Sequence, residues 1–110
     1  MIRRVSEGQI IVGDRSFGET IALTPDGLVD DFSPPPVPEL AESHFDSVLG
    51  NDAELLVLGT GRTIIFPPRE LTFAFARRRI GLEVMDTAAA ARTFNVLAGD
   101  GRRVAAVLYV

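Results

Sequence analysis

The alternation of apolar and polar residues changes character along the chain, and each change marks a different kind of element. Gln9–Val12 and Thr20–Thr24 are short runs of strand-forming residues separated by a polar turn at Gly13-Asp14. Pro25-Asp26-Gly27 supplies the next turn, in which proline presets φ and glycine accepts a positive φ. A third short strand, Leu28–Phe32, runs into Ser33-Pro34-Pro35-Pro36-Val37-Pro38, where proline density excludes helix interior and sheet pairing and favours extended chain. Residues 9–32 therefore read as a β-meander and residues 33–38 as a stiff connector.

Beyond Pro38 the spacing turns helical. Ala41, Phe45, Val48 and Leu49 recur at intervals of three and four, and Gly50 is placed to end a first helix within residues 39–50. Glu54–Leu58 is a continuous apolar strand followed by the turn Gly59-Thr60-Gly61, and Thr63–Phe66 is a short extended piece before Pro67-Pro68. Leu71, Ala74 and Phe75, joined by Phe73, Ala76 and Ile80, predict a second helix over Arg69–Ile80 that ends at Gly81. Leu82–Met85 is a strand, Asp86 an N-cap, Thr87–Ala98 a third helix closed by Gly99, and Arg103–Tyr109 a last strand apolar enough to be buried on both faces. This order over residues 39–110 predicts an α/β sheet with right-handed crossovers, to which the early strands attach as an additional layer. Residues 1–110 are expected to form one domain.

Composition removes several functions. There is no cysteine and one histidine, His44, so thiol chemistry, disulfides and cysteine-based metal sites are excluded, and no acidic run has the spacing of a calcium loop. All 11 basic residues are arginine against 15 carboxylates, and the resulting net charge of −4 argues against nucleic acid as a partner. Arg77-Arg78-Arg79 reads as a solvated group matched to the dipole of a helix C-terminus. The longest apolar stretch, Val104–Val110, falls far short of the roughly 20 residues that span a bilayer, and residues 1–12 lack the apolar region of a signal peptide. A cytoplasmic chain without membrane insertion is expected.

Candidate chemistry gathers at the strand-to-loop junctions, because ligands of α/β sheets sit at the carboxyl ends of strands. Gly59, Thr60, Gly61 and Arg62 could bring backbone N–H groups and side-chain donors onto a phosphate or carboxylate, although the third glycine of a dinucleotide fingerprint and the lysine of a phosphate loop are missing. The plain alternative is a tight turn that needs positive φ. Asp86, Arg92, Asn95 and Arg102 complete the polar set, as anion clamps facing that turn or as structural pairing. No serine lies in a nucleophile elbow, and His44 sits between Glu42 and Asp46 beside an apolar stripe, so no catalytic triad can be assembled. No catalytic residue, cofactor or metal is assigned from these patterns.

Met85 to Leu108, MDTAAAARTFNVLAGDGRRVAAVL, taken with Glu54 to Gly61, ELLVLGTG, resembles a widespread family of small α/β domains of unknown function. That family includes archaeal and bacterial stand-alone proteins, the adipogenesis-associated protein of animals and a mitochondrial complex I assembly factor. The resemblance runs from about Phe17 onward, with Phe32 where many relatives carry tryptophan and Asp100 where glutamate is common. It implies a three-layer domain around a central mixed sheet of about five strands, one of them antiparallel, and no established activity or cofactor. Two functions follow as expectations. The first is a non-enzymatic, assembly-factor-like interaction domain that meets a protein partner as a monomer or homodimer. The second is a small-molecule domain or cryptic enzyme holding an anion or phosphate at the Gly-Thr-Gly turn.

Overall fold

A computed structural model describes all of residues 1–110. Three short strands, β1 (Ile2–Ser6), β2 (Gln9–Val12) and β3 (Arg15–Phe17), form an antiparallel sheet of their own. A second, five-stranded sheet contains β4 (Ile21–Thr24), β5 (Gly27–Leu28), β6 (Leu55–Thr60), β7 (Gly81–Met85) and β8 (Val104–Tyr109) in the order β5-β4-β8-β6-β7. β6 is parallel to both β7 and β8, whereas β4 is antiparallel to its neighbours on either side. The expected mixed sheet with one antiparallel strand and an additional N-terminal β layer is therefore present, but residues 9–32 are not one meander: β2 belongs to the N-terminal sheet, whereas β4 and β5 join the central sheet because β4 pairs with β8.

Helices α1 (Asp46–Leu49), α2 (Arg69–Arg77) and α3 (Thr87–Gly99) distribute over the two faces. Strict alternation in β6 and β8 decides what each face buries. Leu55 and Val57 with Val104, Ala106 and Leu108 pack under Ala90, Ala91 and Phe94 of α3 and under Ile2 and Ile10 of the N-terminal sheet. Leu56 and Leu58 with Ala105 and Val107 pack against Val48 and Leu49 of α1 and Leu71 and Phe75 of α2. The two helices α2 and α3 lie on opposite faces because the chain steps outward from β6 to β7 and then back past β6 to β8, so crossovers of one hand fall on opposite sides of the sheet. No helix is long and apolar enough to cross a membrane.

Several elements differ from the sequence expectation. β1 is absent from it because Ile2 and Val5, which both pack against the core, are three residues apart; a bulge between Ile2 and Arg4 inserts one residue and breaks the period of two. The first helix shrinks to two 3₁₀ turns, Val37–Glu39 and Glu42–Phe45, followed by the single turn of α1, because Leu40 and Ala41 between them are extended. Phe45, Val48 and Leu49 still point inward while Ala41 is exposed, and Phe45 meets Phe75 edge-on at 5.3 Å, a contact that adds about 1 kcal/mol to simple burial. The strand placed at Leu28–Phe32 stops after Leu28, and Asp31 turns the chain at φ 56°. Thr63–Phe66 forms no strand, while β6 runs two residues further than Leu58, through Gly59 and Thr60.

Helix α2 stops at Arg77 rather than Ile80. Arg79 adopts φ 58°, its N–H donates to Ala76 O, and the Ile80 N–H reaches back to Phe75 O at 3.0 Å, a C-terminal closure that usually employs glycine. Gly81 has a different task at the start of β7, where a Cβ would stand 3.2 Å from Leu55 Cβ.

Candidate functional site

The carboxyl ends of β6 and β8 meet the first turn of α3, and the approach is close because Gly59 has no side chain. A Cβ at Gly59 would lie 2.9 Å from both Ala90 Cβ and Thr87 Cα, a distance that backbone and core cannot relieve. At that separation the Thr87 hydroxyl accepts the Gly61 N–H at 2.7 Å and donates to the Tyr109 carbonyl at 2.6 Å, while the Thr87 N–H donates to Gly61 O at 2.8 Å. One buried threonine thus joins the ends of two adjacent parallel strands. Gly61 makes the turn at φ 98°, so glycine is required there for conformation and at Gly59 for space.

Three further side chains near this end, those of Thr60, Asp86 and Tyr109, are also engaged. The Thr60 hydroxyl donates to Thr63 O at 2.6 Å and accepts the Ile65 N–H at 3.0 Å, fixing the loop that leaves β6. Asp86 caps α3 by accepting the Ala89 N–H at 2.9 Å. The Tyr109 hydroxyl donates to Pro35 O at 2.7 Å and ties the proline connector to the last strand, and burial pushes its phenol up to about 12.

A cavity of about 310 Å³ lies beside this junction, between Gly61, Arg62, Asp86 and Thr87 on one side and Glu7 and Gly8 of the β1–β2 turn on the other. Arg62 is the cation at its mouth, and its Nη1 pairs with Glu7 Oε1 at 2.9 Å, both side chains being largely in solvent. Of the eight residues singled out in the sequence, Gly61, Arg62 and Asp86 line this cavity. Gly59 and Thr60 are buried beneath it as packing and anchoring residues.

The other three lie elsewhere. Asn95 faces β1, where its Nδ2 donates to Ile2 O at 2.7 Å and its Oδ1 accepts the Ile2 N–H at 3.2 Å, holding the N-terminal sheet on α3. Arg92 shares with Asn95 a separate shallow cleft against Arg3 and Arg4. Arg102 stands before β8, at the amino end of the sheet and about 25 Å from Gly61 by strand rise, with its Nε 2.7 Å from Glu54 Oε1. A single clamp of Arg92 and Arg102 on the glycine turn is not formed, because the parallel strands carry the residue before β8 and the residues after β6 to opposite ends.

Sequence reasoning passed over the cluster at that amino end. Arg103 Nε donates to Asp52 O at 2.6 Å and its N–H donates to Glu54, beside a cavity of about 420 Å³ between the β4–β5 turn, the end of α1 and the start of β8. The adjacent Arg102 and Arg103 were the only signal for it. Hydrogen bonds from both arginines hold the Glu54 carboxyl below its ordinary value of 4.5.

The fold and these strand ends define a small three-layer α/β domain, with a central mixed sheet, an N-terminal antiparallel sheet and a threonine-locked junction under α3. Residues 2–109 match the family described as "Protein of unknown function (DUF498/DUF598)", and the chain belongs to that family. A solution structure from Xanthomonas campestris is 38% identical, superposes with a TM-score of 0.91, and covers 100% of this chain and 83% of its own. The cattle protein named NADH dehydrogenase [ubiquinone] 1 alpha subcomplex assembly factor 3 is 36% identical over 106 residues, 94% of this chain and 56% of that protein. A Francisella tularensis protein named 13 kDa major membrane protein is 26% identical over 72 residues, 66% of this chain and 58% of its own length. The chain spans little more than half the length of these two curated relatives.

Two measurements test the site geometry. Thr87→Val keeps the shape of the side chain but leaves the Gly61 N–H and the Tyr109 carbonyl unpaired, so urea unfolding is expected to show a loss of about 3 kcal/mol, with Thr87→Ser within about 1 kcal/mol of the wild type. A Thr87→Val protein as stable as the wild type would show that the lock carries no weight. Because the Glu54 pKa is depressed on folding, its stabilising contribution is present above 4.5 and is lost as the pH falls through the lower folded value. Glu54→Gln should therefore lower the melting temperature modestly at neutral pH, where the carboxylate contributes, and converge with the wild type well below pH 4.5, which flattens the acid limb of the profile.

Proposed function

We propose that this chain is a non-enzymatic interaction domain that assists the assembly of a larger protein complex. The observation that carries the reading is the alignment of the cattle assembly factor over 94% of the chain at 36% identity. In that reading residues 1–110 act as one domain, as a monomer or homodimer in the cytoplasm, and the partner is a protein. The complex named in the cattle relative, NADH dehydrogenase, is the first to test.

The chemistry at the strand ends supports contact through surfaces over a small-molecule pocket. An anion at the Gly-Thr-Gly turn would need the Gly61 N–H, which Thr87 Oγ1 occupies, and Arg62, which Glu7 neutralises. Arg102 is about 25 Å away and paired with Glu54. His44, the one imidazole, accepts the Ala41 N–H on Nδ1 at 2.9 Å and so caps a 3₁₀ turn, which favours a structural over a proton-transfer role.

Deletion of the gene in the host organism, followed by native electrophoresis of its membranes stained for NADH dehydrogenase, tests the reading. Subassemblies are expected to accumulate and to disappear when the wild-type chain is restored. Fully assembled complex at wild-type abundance in the deletion strain would overturn it.

A further inference from the structure

Four of the seven large apolar side chains left exposed fall within residues 64–73: Ile64, Ile65, Phe66 and Phe73, at 52, 42, 74 and 54%. Helix α2 explains why Phe73 stays outside. Its buried side is Leu71, Ala74 and Phe75, so the opposite stripe carries Phe73 with Arg69 one turn before it and Arg77 one turn after. The loop before α2 is not loose chain, because Thr60 Oγ1 holds Thr63 O and the Ile65 N–H, and Pro67-Pro68 stiffens the entry to the helix. Ile64, Ile65 and Phe66 are thereby held out into solvent.

Charge singles out the same stretch. Residues 62–79 carry five arginines and one carboxylate, Glu70, in a chain whose net charge is −4. Arg62 pairs with Glu7 and Arg78 with Glu42, while Arg69, Arg77 and Arg79 enter no ion pair. Protruding apolar side chains flanked by unpaired guanidinium groups complement an interface that is apolar at depth and anionic at its surface.

We propose that the Ile64–Phe66 loop and the Arg69, Phe73, Arg77 stripe of α2 form a face that docks on an anionic lipid surface. The apolar side chains enter the headgroup layer, the guanidinium groups meet lipid phosphates, and α2 lies along the surface with Leu71 and Phe75 still turned to the sheet. This is attachment at an interface, distinct from a span. A protein partner is the weaker fit, because anchor residues of a partner require pockets and none of the cavities in the molecule includes Ile64, Ile65, Phe66 or Phe73. A second copy packed face to face would set arginines against arginines. The proposal stands apart from the assembly reading, and each can fail alone.

Sedimentation of the full chain with vesicles of phosphatidylcholine, or of phosphatidylcholine mixed with phosphatidylglycerol, tests it. Co-sedimentation is expected with the anionic vesicles alone and should fall as salt is raised. The double variant Arg69→Gln/Arg77→Gln should bind roughly thirtyfold more weakly, at about 1 kcal/mol per guanidinium. Phe66→Ser/Phe73→Ser should abolish binding at low salt while melting as the wild type does, since both rings are exposed. Absence of binding to anionic vesicles, or binding that both variants leave unchanged, overturns the proposal. Capture of an acidic protein segment through these residues without any vesicle binding also overturns it and assigns the face to a protein.

Discussion

The missing side chain at Gly59 sets the distance between α3 and β6, and much of the molecule's organisation depends on that distance. With α3 seated against the strand, Thr87 reaches Gly61 on one strand and Tyr109 on the next, so a single hydroxyl closes the carboxyl end of the central parallel pair. The same strand ends pass the constraint outward. Tyr109 holds Pro35 and with it the connector on the far face, and Thr60 holds the loop that displays Ile64, Ile65 and Phe66. At the other side of α3, Asn95 engages both backbone groups of Ile2 as a neighbouring strand would, which fixes the N-terminal sheet without extending the central one.

Elements whose signals are local were legible in the sequence. Asp86 caps α3 as its position before an alanine-rich run suggests, and the unbroken apolar residues of β8 are those of a central strand buried on both faces. Elements whose geometry depends on an irregularity were not. A bulge hides β1, two extended residues between prolines and Phe45 dissolve the first helix into 3₁₀ turns, and Arg79 ends α2 in a conformation that sequence rules reserve for glycine. Gly59 was misread for a related reason. A glycine after an apolar strand signals a turn, yet here it remains inside the strand because a helix needs the space.

The site residues divide along the same line. Gly61, Arg62 and Asp86 come together because β6 and β7 are adjacent and parallel and end side by side, which the element order already implies. Arg102 was grouped with them as a candidate anion clamp, but it precedes β8 and belongs to the amino end of the sheet with Glu54. Spacing along a chain does not distinguish the two ends of a strand until the direction of each strand is known. At the carboxyl end, the Gly61 N–H and the side chains of Thr60, Asp86 and Thr87 are thus spent on internal hydrogen bonds.

The Thr87 bridge closes the strand ends, and the Gly61 amide reports directly on whether they are closed or open to a ligand. Its hydrogen-exchange rate and its nitrogen and proton chemical shifts, followed during titration with inorganic phosphate, give a residue-level answer. Closure requires exchange as slow as that of the core strand amides, through global unfolding, and shifts that phosphate leaves unchanged. Fast exchange at Gly61, or a saturable shift with phosphate, would show a free donor at the strand end and contradict the account.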